Sequence, residues 1–232
     1  MSEFFLELFS EEIPSKLQKS AKNDLLNIFK KIFEEKNLSY KKGLSYSTPN
    51  RLIILFEGLN NEIIEPEQEL RGPKTNAPDK ALEGFLNSNS LNKNQLFKKS
   101  SEKGEFYFFK KAKSKIKTID FLKEKIPEIL GSIKWKKSMK WNNYNLNWGR
   151  PLKSILAIFS KKIVLFDFFH LKSSNKTFID KDFEDKSKKF FDFNSYKIYF
   201  KKIGTIIENE ERKLIIQKKY KKFQIKKIYL LI

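Results

Sequence analysis

The chain has no cysteine and a single histidine among its 232 residues. Without thiols there can be no disulfide, no thiolate zinc site and no cysteine nucleophile. With His170 as the only imidazole, a catalytic dyad or metal cluster built on several histidines is ruled out. Its place directly after Phe168-Phe169 suits a structural role. No run approaches the roughly eighteen apolar residues of a membrane-spanning helix. The start, Met1-Ser2-Glu3-Phe4-Phe5, lacks the basic-then-apolar order of a secretory signal. A cytoplasmic protein with no membrane contact is expected.

Arginine is scarce as well, supplying four of the 48 basic residues. Arg51, Arg71 and Arg150 stand beside glycine, proline or asparagine, and Arg212 lies in a charged helical stretch. Lysine serves wherever a floating positive charge will do, but it has no planar fork of donors. The rare arginines therefore mark positions where geometry matters.

The length and a 40% hydrophobic fraction allow one large domain or two small ones with a real core. The net charge of +20 points to RNA or another polyanion. That inference is discounted by the joint abundance of lysine, asparagine, isoleucine and phenylalanine, which AT-rich codons would produce.

Residues 4–9 pattern as a strand, apolar on both faces except at Glu7. Pro14 opens a helix to Glu35 with Leu17, Ala21, Leu25, Ile28 and Ile32 as its buried stripe. A second strand follows at 52–57. Pro66, Gly72, Pro73 and Pro78 make 60–78 an exposed loop. A short helix at 79–86 carries Ala81, Leu82 and Phe85. A strand at 105–110 precedes a helix at 114–130 that packs Ile119, Leu122, Ile126 and Ile129 and is bent at Pro127. Beyond it the pattern predicts a short helix at 152–159, strands at 163–169 and 196–200, and a helix at 205–218. The tail 218–232 alternates lysine pairs with large apolar residues and is expected to be buried, as a strand of this core or against a neighbour. The fold class is α+β, a mixed sheet with packed helices. Residues 1–217 form the main region, with two subdomains divided near 60–75, and no linker marks a sharp boundary.

Three segments carry candidate chemistry. Arg71-Gly72-Pro73-Lys74 sets two cations on a rigid turn ahead of a helix start, where phosphate could bind; a turn held by Gly72 and Pro73 is the plainer reading. It lacks the glycine pattern and lysine-serine ending of a P-loop. Residues 135–148 hold all three tryptophans among lysines. They could stack bases while Lys136, Lys137 and Lys140 hold the backbone, but wedging a small core together is the favoured role. Glu11 and Glu12 precede a helix, where carboxylates usually cap. No catalytic residue and no metal-ligand set is assigned.

Taken in order, these segments resemble the N-terminal part of the beta subunit of the bacterial heterotetrameric glycyl-tRNA synthetase. Glu7-Leu8-Phe9-Ser10-Glu11-Glu12-Ile13-Pro14 is similar to that family's opening, and Ser47-Thr48-Pro49-Asn50-Arg51-Leu52 to its next motif. The resemblance continues through Arg71-Gly72-Pro73-Lys74 to Phe85, through Lys137-Ser138-Met139-Lys140-Trp141, and through Trp148-Gly149-Arg150-Pro151-Leu152. It implies a segment of an α2β2 enzyme that joins glycine to tRNA(Gly) with ATP. ATP and Mg2+ would then be used in the alpha subunit, and no cofactor is bound by this chain. The beta subunit engages tRNA and holds the assembly together. The RNA-facing candidates are Arg71, Lys74, Lys137, Lys140, Trp141 and Arg150. Glu11, Glu12, Pro14, Pro49, Arg51, Gly72, Pro73, Trp148 and Pro151 are structural motif residues.

Two departures bear on function. Where the family carries Ser-Gly-Asn-x-Thr-Arg-Gly-His-Arg-Phe, this chain has Ser173-Ser174-Asn175-Lys176-Thr177-Phe178-Ile179-Asp180-Lys181. The serine, asparagine and threonine remain, while the glycines, histidine and arginines do not. Family members also continue into HD-type and anticodon-binding regions that this chain lacks. A separate C-terminal beta fragment is therefore a further expected partner. The rival reading is an RNA-binding or scaffold fragment that no longer serves aminoacylation.

Overall fold

The computed structural model describes residues 2–101, 104–179 and 186–229, with side chains placed up to 223. They fall into two compact units, 1–62 with 117–232, and 63–116.

The larger unit begins with β1 (Glu3–Ser10), α1 (Ser15–Glu35), β2 (Lys42–Thr48) and β3 (Arg51–Glu57). Next come β4 (Glu62–Glu65), β5 (Gln68–Lys74), α2 (Asp79–Ser88), β6 (Leu96–Ser101), β7 (Gly104–Lys111) and β8 (Ser114–Lys117). The chain returns through α3 (Thr118–Ser132), then β9 (Leu152–Phe159), β10 (Lys162–Ile163), β11 (Asp167–Phe168), β12 (Leu171–Lys172), β13 (Lys176–Phe178) and β14 (Ser187–Lys189). It ends with α4 (Phe193–Lys202) and α5 (Asn209–Tyr229). The class is α+β, as the sequence led one to expect.

An antiparallel sheet ordered β10-β9-β1-β3-β2 is the backbone of the larger unit. β1 lies at its centre with both edges paired, and α1 on one face and α4 on the other bury Phe4–Phe9, so alternation sorts apolar residues between two cores. Phe4 meets Phe29 of α1 and Phe56 of β3, and Phe33 of α1 meets Phe121 of α3. On the opposite face Phe5 packs with Phe193, Tyr196 and Phe200 of α4 and with Ile53, Leu55, Leu156 and Ile158. Asp192 caps α4 by accepting from the Ser195 amide, and the Glu3 carboxylate accepts from the Phe193 amide. Burial pushes the Glu3 carboxyl up from its ordinary value, against the lowering effect of that amide.

Several elements differ from the sequence pattern. The buried stripe of α1 runs Leu17, Ala21, Leu25, Phe29, Phe33, with Ile28 and Ile32 half-buried on its flank. Residues 152–159 are a strand: β9 lies between β10 and β1, and its short apolar run carries no period to separate strand from helix. Residues 196–200 belong to helix α4, where tertiary packing and the Asp192 cap override their β-branched and aromatic character. Residues 114–117 form β8, paired with β4, so α3 starts at Thr118; Pro127 does lie inside it. Of the expected 163–169 strand, only Ile163, which with Lys162 makes up β10, and 167–168 belong to strands.

The loop expected at 60–78 contains β4 and β5. β5 is an edge strand of the three-stranded sheet β5-β7-β6, the position where a strand tolerates proline. α5 runs on to Tyr229, so the tail does not form a strand there, and Lys218–Phe223 are exposed. Residues 230–232 lie outside the described ones. No helix among the described residues is long and apolar enough to cross a membrane.

Candidate nucleic-acid interface

Three of the marked segments meet at one end of the large sheet. The Pro49-Asn50 turn joins β2 to β3, and its carbonyls accept from the Ile13 and Ser10 amides. The Glu11 amide donates to the Pro151 carbonyl, and Arg150 Nε donates to the Glu12 carbonyl at 3.1 Å. Residues 10–14 are thus clamped between two proline turns, which fixes where α1 begins. Glu11 and Glu12 are exposed and do not cap it. Pro14 stands at the N-cap with no side-chain bond, and the first turn holds no acid.

This uncapped helix start opens onto a cleft of about 600 Å3 lined by Lys16, Lys136, Lys137 and Arg150, with Pro14 and Leu17 as apolar wall. None of these cations has a carboxylate partner among the described residues. Unpaired helix amides and three lysines are together an anion-attracting surface.

The tryptophan segment builds the far wall. Trp148 is 1% exposed and packs at 5.1 Å from Trp135 and 5.8 Å from Phe168. An added Cβ at Gly149 would lie 2.4 Å from the Trp135 ring, so only glycine admits Trp135 there. Gly149→Ala should lower stability by about 1–3 kcal/mol through overpacking. The check is the urea midpoint read by tryptophan emission, with a red shift as Trp135 is displaced. Trp141 turns away to Tyr144 and His170, whose rings stack at 3.7 Å, and Lys140 donates to the Asn145 amide oxygen. Lys137 and Arg150 therefore share the cleft, while Lys140 and Trp141 do not line it.

Arg71 and Lys74 belong to the smaller unit and lie on strand β5, not on a turn. A register shift pairs Arg71 with Phe108 and Lys74 with Phe106, so the extra residue sets both cations on one face. Arg71 Cζ is 3.6 Å and Lys74 Nζ 5.8 Å from the Phe106 ring centre. Gly72 faces the other way, where a Cβ would meet Phe85 of α2 at 3.0 Å.

The other two arginines are structural. Arg212 donates to the carbonyls of Ile206, Ile207 and Ser47, and Asn209 exchanges bonds with Ser47, tying α5 to β2. Arg51 is 5% exposed, 3.4 Å from the fully buried Glu7, and donates to the Phe178 carbonyl. Its guanidinium sits between the rings of Phe9 and Phe200 at 4.6 and 4.5 Å. Thr177 donates to Glu7 as well. Burial pushes the Glu7 carboxyl up, opposed by Arg51 and then Thr177, and burial beside Glu7 holds the Tyr196 phenol well above its usual value.

The altered 173–181 segment is explained in part by this network. Ser173, Asn175 and Thr177 are all buried. The Ser173 hydroxyl bonds Val164 and Phe166, and the Asn175 carbonyl accepts from the Phe190 amide. The residues kept are the ones the fold uses; Asp180 and Lys181 lie outside the described residues.

Lys16, Phe97, Phe106 and Phe108 were not singled out by the sequence reading. A lysine in a first helical turn with no acid, opposed to the helix dipole, was the available signal for Lys16. Among the described residues no three acidic or imidazole side chains gather as a metal site.

Fold and site together define an α+β protein with an unpaired cationic cleft and a second basic face. Residues 4–230 match the family described as glycyl-tRNA synthetase beta subunit, and the chain belongs to that family. It is 37% identical over 217 residues to the glycine--tRNA ligase beta subunit of Rickettsia bellii (strain OSU 85-389), covering 94% of this chain and 33% of that protein. With the Rickettsia peacockii (strain Rustic) and Rickettsia conorii (strain ATCC VR-613 / Malish 7) proteins of that name, identity is 36% over the same share of this chain and 32% of theirs. The chain spans about a third of the length of these curated relatives.

Proposed function

We propose that this chain supplies tRNA-binding surface and a subunit contact to a cytoplasmic glycine--tRNA ligase, without carrying the reaction centre. In this reading the partners are an alpha subunit, which uses ATP and Mg2+ to activate glycine, and tRNA(Gly). The observation that carries it is the cleft at the start of α1, where Lys16, Lys136, Lys137 and Arg150 converge without carboxylate partners among the described residues. Phosphates fill such a site by releasing counterions from the RNA. Family membership supplies the choice of RNA.

The test has two arms. Arg71→Gln with Lys74→Gln should weaken tRNA(Gly) binding and lower its salt slope by about 1.5, from roughly 0.7–0.9 per phosphate contact. An unchanged slope removes these two residues from the RNA face. Glycylation by purified alpha subunit is then measured with and without this chain, and with a C-terminal beta fragment added. Stimulation supports the assignment, and none under either condition favours an RNA-binding fragment outside aminoacylation.

A further inference from the structure

We infer that the open face of the three-stranded sheet is a stacking platform for unpaired RNA bases, an assignment that rests on the RNA-binding reading above and specifies what this part of the chain grips. Register places the residues in rows. Arg71 of β5 and Phe97 of β6 both lie opposite Phe108 of β7, so Arg71, Phe108 and Phe97 form one row across all three strands. Two residues along β7, Lys74 and Lys99 lie opposite Phe106 and form the next.

The first row is made of planar groups. Phe97 and Phe108 are stacked, with centroids 6.0 Å apart and planes 27° from parallel, and Phe97 is 37% exposed. At the row's other end the exposed guanidinium of Arg71 lies over Phe106, which it shields. The second row carries charge. Lys74 has no ion pair among the described residues, whereas Lys99 is held by Glu69 at 2.8 Å. Rows two residues apart are about 7 Å from each other, within the reach from a stacked base to its own phosphate.

Helix α2 packs on the opposite face through Phe85 at Gly72, which leaves the aromatic side open. The β5 bulge is what delivers Arg71 and Lys74 to that same side. A purely apolar open face would suit a protein partner. Planar rings interleaved with cations suit bases and phosphates, and base pairing would hide the faces that stack.

The experiment measures binding of the full chain to a 12-nucleotide oligouridine and to a blunt RNA duplex of equal length. The parent should prefer the single strand. Phe97→Ala should weaken it about tenfold, leaving the salt slope and the duplex affinity unchanged, while Phe97→Trp retains binding. Thermal melting confirms that both variants fold. Equal binding of single strand and duplex by the parent, or no loss in Phe97→Ala, overturns the inference. So does a Phe97→Ala variant that loses the purified alpha subunit but keeps RNA. A chain that binds tRNA(Gly) but not oligouridine sinks this platform and leaves the proposed function standing. Single-strand binding without stimulation of glycylation does the reverse.

Discussion

Arg51→Met should lower the unfolding free energy by about 3–5 kcal/mol, because it leaves a carboxylate buried in the sheet without its counter-charge. Glu7 is 0% exposed and lies beside Tyr196, so water cannot take over from the guanidinium. The Phe178 carbonyl also loses its donor, and the rings of Phe9 and Phe200 lose what they sandwich. Adding Glu7→Gln to Arg51→Met should recover part of the loss, since the amide oxygen still accepts from Thr177 and no ion remains unpaired. Urea denaturation of both singles and the double gives the coupling directly. Equal loss in the single and the double would show that packing, not charge, is at stake.

The pH dependence of that loss follows from the same geometry. Burial raises the Glu7 carboxyl above its ordinary 4.5, against the pull of Arg51. A raised acid stabilises the fold below its unfolded value, and this contribution is lost as pH rises through the folded value. Removing Arg51 takes away a lowering influence. The cost of Arg51→Met should accordingly shrink as pH falls through the raised folded values of Glu7, all of them above its ordinary 4.5, and reach its floor once Glu7 is neutral in both proteins.

Arginine scarcity was the most legible feature of the sequence, and its physical meaning is now specific. Arg212 and Arg150 reach carbonyls with separate arms of the fork. Arg51 combines an ion pair, a carbonyl and two rings, and Arg71 lies over a ring. A lysine ammonium can sit over a ring, as Lys74 does, but it cannot reach two carbonyls from separate arms or lie flat between two rings while bonding a carbonyl. The central strand and α1 were legible for an ordinary reason: both show a clear hydrophobic pattern and a proline at the helix start.

The misread elements failed where neighbours decide the outcome. β9 is a strand because β10 and β1 pair with its two edges, while Leu156 and Ile158 pack into the core beside α4, and α4 is a helix because Asp192 and the sheet hold it there. β5 looked like a loop since Gly72 and Pro73 are turn residues, yet they serve a bulge on an edge strand. Of the candidate site, Lys137 and Arg150 were found from the sequence. Lys16 was not, for 120 residues separate it from Lys136, and only the clamp on residues 10–14 brings the helix start beside them.

That clamp leads to the second large effect. Lys16→Gln, Lys136→Gln and Lys137→Gln together should reduce tRNA(Gly) affinity on the order of hundredfold at 0.1 M salt, with the salt slope smaller by about 2–3. All three side chains are exposed, and none has a carboxylate partner among the described residues, so the fold should change by less than about 0.5 kcal/mol. Arg150 is left in place because its Nε holds the Glu12 carbonyl, and its loss would loosen the helix start as well as remove charge. Filter binding across a salt series distinguishes the outcomes. A parallel drop at every salt concentration would mean that the lysines support structure, whereas convergence of parent and variant near 1 M would mean that they neutralise phosphate. Affinity unchanged at low salt would place the RNA elsewhere on the chain, and the uncapped start of α1 would then be a helix end tolerated by solvent.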